Sequence, residues 1–301
     1  MERTESKFNL NFTCNNNCVF CCANKKEEKC DSLKRIKKNI ESFARKGGDN
    51  RLIISGGEPL ISEDLFDLLT FAKRKGIKKI GIQTNGRMLC YEEMVRKLKE
   101  FEPIDFLVSF HFPNARLYKK YCRSDGFQQT VEGIKNLVKY NCDVRTNTVV
   151  MKQNLPYLKG MMKFLKRLGV KQYEYYFIIG KNLGKNYRKF VPRYEKCTPA
   201  IEKIIEENKG ISISLKGFPA CVIKEELRKR LIHYLTPIRT KTLGKPPLAK
   251  YTFPNCQDCI FRSARAGSSL HLKIANKLSC PGVKEEYVKN YGTKEFKPIY
   301  Q

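Results

Sequence analysis

The 301-residue sequence has no apolar run long enough to cross a bilayer, and charged residues interrupt every window. A membrane-spanning helix is therefore not expected. The start, MERTESKFNL, carries Glu2 and Glu5 and lacks an apolar core segment, which argues against a secretory signal. The expectation is a soluble, cytoplasmic protein with no membrane partner. No internal repeat or low-complexity tract is evident. Acid is scarce: 30 Asp and Glu stand against 59 Lys and Arg, a net charge of +29. The scarcity is sharpest between Glu226 and Glu285, where Asp258 is the one acid among twelve Lys and Arg. Such a surface attracts anions, although a solvated lysine-rich face would carry the same charge with no partner.

The chain does have 13 cysteines. Its length and the missing export signal favour reduced thiols, some of them metal ligands, over disulfides. Cys90, Cys122, Cys142 and Cys197 are isolated and read as small core residues, as does Cys30. The hydrophobic fraction of 41 % is enough to bury a core.

Short apolar runs alternate with amphipathic stretches over the first two-thirds. Strands are expected at 7–13, 51–55, 78–84, 104–110, 143–150 and 172–179, all rich in Ile, Val, Phe and Tyr. Helices are expected near 32–46, 63–75, 91–101, 127–140, 154–168 and 195–209. Phe127, Val131, Ile134 and Val138 follow helical spacing, and Gly47, Gly76 and Gly169 supply stops. Six βα units in series imply an α/β fold with a parallel sheet under helices, either a partial (β/α)6 TIM-like barrel or a doubly wound sheet. After about residue 215, Pro219, Pro237, Pro246, Pro247 and Pro254 break the rhythm. The expected division is a core domain over 1–215 and a small, irregular, cysteine-containing appendage over 216–301.

The stretch CNNNCVFCC follows the first strand, and Cys14, Cys18 and Cys21 have C-x3-C-x2-C spacing. Three thiolates on a four-iron cluster leave one iron without a protein ligand, open to substrate or cofactor. A zinc knuckle completed by Cys22 or Cys30 is the alternative for the spacing alone. The second strand is followed by Gly56-Gly57-Glu58-Pro59. Glycine lets backbone approach a ligand closely, and Glu58 would favour an ammonium group.

The cysteine motif, with Phe20 as its aromatic residue, and the Gly-Gly-Glu-Pro motif about 35 residues later resemble the signatures of the radical S-adenosylmethionine (SAM) superfamily. The resemblance covers about residues 7–215. It implies that Cys14, Cys18 and Cys21 hold a [4Fe–4S] cluster whose open iron is chelated by SAM. Reductive cleavage would then give methionine and a 5′-deoxyadenosyl radical that abstracts hydrogen from substrate. It also implies SAM contacts for Phe20, Gly56, Gly57, Glu58 and Pro59, for Asn85 in a Thr-Asn-Gly turn, and for Ser109 and His111 ending the fourth strand. Arg123 would pair with the SAM carboxylate, Asn147 would meet SAM from the fifth strand, and Ile178 would pack on adenine. An electron donor of flavodoxin or ferredoxin type is implied as partner. As ordinary structure, these residues would be a turn, a satisfied histidine, a surface arginine and core.

Cys221, Cys256, Cys259 and Cys280 resemble the short auxiliary-cluster tails, of SPASM or twitch type, of this superfamily, which implies a second [4Fe–4S] cluster. The twenty residues between Cys259 and Cys280 depart from that pattern, and a structural zinc site is the rival. Arg262 and Arg265 faintly resemble arginines of molybdenum-cofactor enzymes, but the Gly-Gly ending of those enzymes is replaced here by PIYQ. A basic loop with Lys181, Lys185, Arg188, Lys189 and Arg193 follows the sixth strand. The expected substrate is anionic: an acidic peptide or protein, favoured by the tail, or RNA or a nucleotide, favoured by charge. A non-enzymatic zinc or Fe–S nucleic-acid-binding protein is the reading from a different class.

Overall fold

The structure, a computed structural model, describes residues 4–22, 32–231, 240–242, 250–251 and 283–296. Cys30, Cys256, Cys259, Cys280, Arg262 and Arg265 lie outside them. The chain divides into two compact units. One takes residues 1–147, 163–171 and 238–245; the other takes the remainder.

In the first unit, strands β1 (Thr4–Asn9), β2 (Asn50–Ser55), β3 (Lys79–Thr84), β4 (Ile104–Ser109) and the start of β5 (Asp143–Val150) pair in parallel, each with the next. Helices α1 (Leu33–Ala44), α2 (Leu65–Arg74), α3 (Glu92–Lys99), α4 (Ala115–Cys122) and α5 (Phe127–Lys139) connect them. Leu52, Ile54, Ile80, Ile82, Phe106 and Val108 alternate along the strands with no exposed surface, and each contributes about 1.5–3 kcal/mol by leaving water. Ser32 caps α1 by accepting from Arg35 N at 3.3 Å, and Asn114 caps α4 by accepting from Leu117 N at 3.0 Å.

The opposite face of the same strands is polar. Arg51 Nη1 donates to Glu5 Oε1 at 2.8 Å, and its Nε donates to Asp105 Oδ2 at 2.9 Å. Lys79 and Arg145 also reach Asp105, at 3.5 and 3.1 Å. Gly81 makes this crossing feasible, because a Cβ there would lie 2.5 Å from an Arg51 nitrogen. Burial works to raise the Asp105 pKa, but the charges of Arg51, Arg145 and Lys79 hold it below the usual carboxylate range. One layer further along the strands, Lys7 Nζ donates to Gln83 Oε1 at 2.6 Å, and Ser55 Oγ donates to the same oxygen at 3.3 Å.

In the second unit, β6 (Gln172–Phe177) pairs in parallel with β7 (Ser212–Lys216). Helices α7 (Tyr187–Phe190), α8 (Tyr194–Glu207), α9 (Glu225–Leu231) and α10 (Glu285–Tyr291) belong here. An aromatic cluster forms its core: Phe177 stacks on Tyr194 with centroids 4.0 Å apart, and Phe218, Tyr287 and Phe296 close around them. Tyr194 N–H donates to Tyr287 Oη at 3.0 Å, and Tyr194 Oη donates to the Gly217 carbonyl at 2.9 Å. α6 (Leu158–Arg167) has residues in both units.

The fold class is the expected α/β partial barrel; among the described residues β1 to β7 are seven parallel strands rather than the six expected, with the short β8 added beside β1. β7 is the addition; its five residues fall where the proline-rich rhythm begins. The first strand is Thr4–Asn9 rather than 7–13. Its polar start, Thr-Glu-Ser, hides a buried Glu5 and Ser6, and Leu10–Thr13 bond a neighbouring loop instead of continuing the ladder. α4 was not expected at all. The three-residue strand β8 (Thr240–Thr242) pairs with β1, and β9 (Lys250–Tyr251) pairs antiparallel with β10 (Val283–Lys284).

Candidate functional site

Leaving β1, the chain is stitched backbone to backbone onto the loop that leaves β2. Leu10 N donates to Ser55 O at 2.8 Å, Gly57 N to Asn11 O at 2.7 Å and Glu58 N to Thr13 O at 2.8 Å. Only glycine permits this approach: Gly56 sits at φ +144°, and a Cβ on Gly57 would lie 2.6 Å from the Thr13 carbonyl carbon. The close neighbour of both glycines is therefore the segment Asn11–Thr13 that leads into the cysteine motif.

Glu58 has no exposed surface. Its Oε1 accepts from Leu60 N at 3.0 Å and Thr84 Oγ1 at 2.7 Å, and its Oε2 accepts from Asn85 N at 2.6 Å. Burial raises its pKa, while these donors and Arg87 work the other way. The carboxylate thus fixes the Thr-Asn-Gly turn after β3. That turn aims Asn85 at the cysteine loop: its Nδ2 donates to Asn15 Oδ1 at 2.7 Å and lies 3.8 Å from Cys14 Sγ. Pro59 opens the short 3-10 turn that follows.

The far side of the cysteine loop is held by α4. Asn17 N donates to Cys122 O and Val19 N to Tyr121 O, both at 2.9 Å. Asn16 Nδ2 donates to Tyr118 Oη at 2.8 Å. Arg87 ties the loop from a third direction, with Nη1 donating to Asn15 O, to Asn16 Oδ1 at 3.1 Å and to Ser124 Oγ at 2.9 Å. Cys14, Cys18 and Cys21 are half-buried, Cys22 is exposed, and none is in a disulfide. Cys122, expected as an isolated core thiol, is buried but hydrogen-bonded to Cys18. That bond, burial and the nearby Cys14 push its pKa far up.

Phe20 is buried, edge-on to His111 at 5.1 Å and to Phe112 at 6.1 Å, so it pins the loop from below. Burial lowers the His111 pKa to about 4, leaving a neutral imidazole at ordinary pH. Ser109, the last residue of β4, lies opposite Asn147, within β5. The Asn147 carbonyl accepts from Phe110 N at 2.8 Å, while its side-chain Oδ1 is buried with no hydrogen-bond partner. Arg123 is exposed and left-handed, φ +52°, at the end of α4. Ile178 belongs to the second unit, where it is buried. Cys221 is half-buried in the turn Ala220–Val222. Arg87 and Cys122 escaped the sequence reading; the one signal for Arg87 was its place directly after the Thr-Asn-Gly turn.

Among the described residues, no three Cys, His, Asp or Glu side chains are gathered tightly enough for a single metal ion. Thiolates on three separate irons of a cubane stand farther apart than thiolates on one ion. Three undisulfided thiols on one clamped loop are the donor set such a cluster would take, with a backbone N–H 3.4 Å from Cys14 Sγ and an orphaned buried acceptor on Asn147 as further polar groups for it and its ligand.

Residues 8–165 match the model of the radical SAM superfamily. With that match covering more than half of its length, the chain belongs to this family and is an enzyme of it, which sets aside the non-enzymatic reading. The family uses a [4Fe–4S] cluster and SAM. A "Probable GTP 3′,8-cyclase" from Sulfurisphaera tokodaii is 30% identical over 202 residues, 66% of this chain and 62% of that one. Among solved structures, Streptococcus suis SuiB "bound to precursor peptide SuiA" aligns with a TM-score of 0.58 at 18% identity, over 72% of this chain and 49% of SuiB. "Native anSMEcpe with bound AdoMet and Kp18Cys peptide" aligns with a TM-score of 0.57 at 16% identity, over 70% and 63%. The chain thus spans less than two-thirds of each of these three relatives. Among the described residues, no helix is long and apolar enough to cross a membrane.

Proposed function

We propose that Cys14, Cys18 and Cys21 hold the [4Fe–4S] cluster and that SAM binds beside them, against the turns at Gly56–Pro59 and Asn85. One observation carries this reading: the loop bearing the three thiols is hydrogen-bonded on one side to Gly57 and Glu58 and on the other to α4. Motifs far apart in sequence are thereby brought to the C-terminal ends of adjacent parallel strands, where barrel enzymes keep their chemistry. The bound cluster and SAM supply reductive cleavage to methionine and a 5′-deoxyadenosyl radical.

The chain's own residues orient and shield. Glu58 acts through the Asn85 turn, since its carboxylate is already occupied by three protein donors. Asn147 Oδ1 awaits a donor from a ligand, with Ser109 beside it. Arg123 offers an exposed guanidinium to the SAM carboxylate. Phe20 and neutral His111 keep water from beneath the loop. Electrons come from a flavodoxin- or ferredoxin-type donor.

We assign the substrate to peptide or protein. The support is the fold shared with SuiB and anSMEcpe, whose structures hold peptides, together with the cysteine-containing appendage over 216–301. There Cys221, Cys256, Cys259 and Cys280 would hold a second cluster. A nucleotide or RNA substrate is the second reading. It is favoured by the cyclase relative and by Lys152, Arg188 and Arg193, which lie 5.9, 5.9 and 5.6 Å from the Tyr291 ring centroid.

Anaerobic reconstitution, an iron and sulfide count, and reduction with dithionite in the presence of SAM should yield 5′-deoxyadenosine. Cys18→Ala should abolish it and Cys22→Ala should spare it. A fully reconstituted wild type that forms none refutes the reading. Substrate class follows from which additive, an acidic peptide, RNA or GTP, loses hydrogen to 5′-deoxyadenosine; an RNA should do so in a steeply salt-dependent way.

A further inference from the structure

Of the helices α1 to α5, α4 alone has no acid in its sequence, ARLYKKYC. Arg116, Lys119 and Lys120 on it are all exposed. Lys119 meets Asp125 at 3.0 Å, but both partners of that pair stand in water, where an ion pair is worth little. Among the described residues, Arg116 and Lys120 form no ion pair with a carboxylate. Four positions apart on one helix, they repel each other by about 0.2–0.5 kcal/mol.

The helix that carries this charge is the one bonded to the cysteine loop, through Asn17 N to Cys122 O and Val19 N to Tyr121 O, both 2.9 Å. Lys120 Nζ lies 5.4 Å from the Tyr121 ring centroid. Tyr121 stacks on Phe112 at 5.0 Å, and Phe112 meets Phe20 of the cysteine motif at 6.1 Å. A run of packed rings thus joins the charged surface to the loop. A substrate must reach SAM to lose hydrogen, and SAM is assigned above to the turns on the other side of that loop. An electron donor needs only to come close to the cluster. Positive charge on the α4 side therefore suits the donor, and complementarity asks that the donor be acidic.

We propose that Arg116, Lys119 and Lys120 form the docking face for a small acidic electron-carrier protein of flavodoxin type. This rests on the proposed assignment of Cys14, Cys18 and Cys21 to the cluster. Each productive encounter moves one electron: the carrier is oxidised by one as the cluster is reduced by one, and no atom changes hands.

The test uses the full chain, with and without reconstituted cluster, and flavodoxin as the probe. Arg116→Glu/Lys120→Glu reverses the face. Lys34→Glu/Lys38→Glu makes the same charge change at exposed positions of α1. Calorimetry at low and high ionic strength should show wild type binding flavodoxin in a salt-sensitive way. The α4 variant should bind about tenfold more weakly at low salt, with a shallower salt dependence, and the α1 variant should stay close to wild type. Formation of 5′-deoxyadenosine driven by limiting reduced flavodoxin should fall by a similar factor in the α4 variant. Formation driven by dithionite should not change, which also shows that the variant is folded. Should the double reversal fold poorly, Arg116→Gln/Lys120→Gln carries the same expectation at smaller size.

Equal weakening in the α1 and α4 variants reduces the effect to net charge and overturns the proposal. So does an α4 variant that binds flavodoxin as wild type does, or one that loses the dithionite-driven reaction as well. A short RNA bound by wild type and lost in the α4 variant, with flavodoxin bound by neither, assigns the face to nucleic acid instead. A reconstituted wild type that is inactive even with dithionite overturns the proposed function, and this inference with it.

Discussion

Glu58→Gln separates two jobs for the Gly-Gly-Glu-Pro motif. In the structure, all three hydrogen bonds to the carboxylate come from protein: Leu60 N, Thr84 Oγ1 and Asn85 N. Glutamine keeps the shape, and its Oε1 can still accept from Leu60 and Thr84. Its Nε2 then faces Asn85 N–H, donor against donor. One hydrogen bond to a charged group is lost, worth about 1.5–3 kcal/mol, and a buried N–H is left unsatisfied at about 1–3 kcal/mol. Part of this is returned, because a neutral amide is less costly to bury than the carboxylate. A net loss of about 2–4 kcal/mol follows, or about 4–16 °C in melting temperature for a domain of this size. Urea unfolding and thermal scans of the cluster-free protein measure it without any cofactor. If Glu58→Gln unfolds within ~0.5 kcal/mol of wild type while the reconstituted variant loses SAM affinity, the carboxylate serves the ligand and not the turn, and the assignment made here is wrong.

Two further perturbations probe the frame. Arg51→Met leaves Asp105 and Glu5 buried without the guanidinium they share and should cost about 3–5 kcal/mol, read by urea denaturation. The same cluster predicts an acid limb. Asp105 has a lowered pKa in the fold, so its contribution is complete above the unfolded carboxylate value. It is lost as pH falls through the folded value. Asp105→Asn should flatten that limb, and an unchanged slope would remove Asp105 from the account. Gly57→Ala should drive a methyl group into the Thr13 carbonyl and cost about 1–3 kcal/mol. Because the strain falls on the cysteine loop, iron uptake should drop more than global stability does; equal losses would argue against a direct coupling.

The sequence revealed most where its signals were local. The strands β2 to β6 are short runs rich in β-branched and aromatic residues between turns, and their ends fall within a residue or two of those expected. The glycine pair and the three cysteines stand out in the sequence by their spacing alone. What stayed hidden depended on distant partners. Thr4–Ser6 is polar, and nothing local says that Glu5 will be buried by Arg51 from the next strand. Cys122 looks like any small core residue until α4 folds against residue 18. Glu58 was read as facing a ligand, since its three donors come from residues 60, 84 and 85 and no spacing rule links them.

The clamp between the cysteine loop and α4 also bears on the order of events as the chain is made. Cys14 to Cys21 leave the ribosome early, but Tyr121 and Cys122 follow only about 100 residues later, which at typical rates of synthesis is ~5–20 s. During that interval the thiols have neither α4 nor the Asn85 turn to space them. Iron delivered to the nascent loop would meet three unarranged thiols, whereas iron delivered after residue 122 has emerged would meet a seat already cut to shape. If Cys14, Cys18 and Cys21 hold the cluster, as proposed, its seat is complete only once the fourth helix has been made.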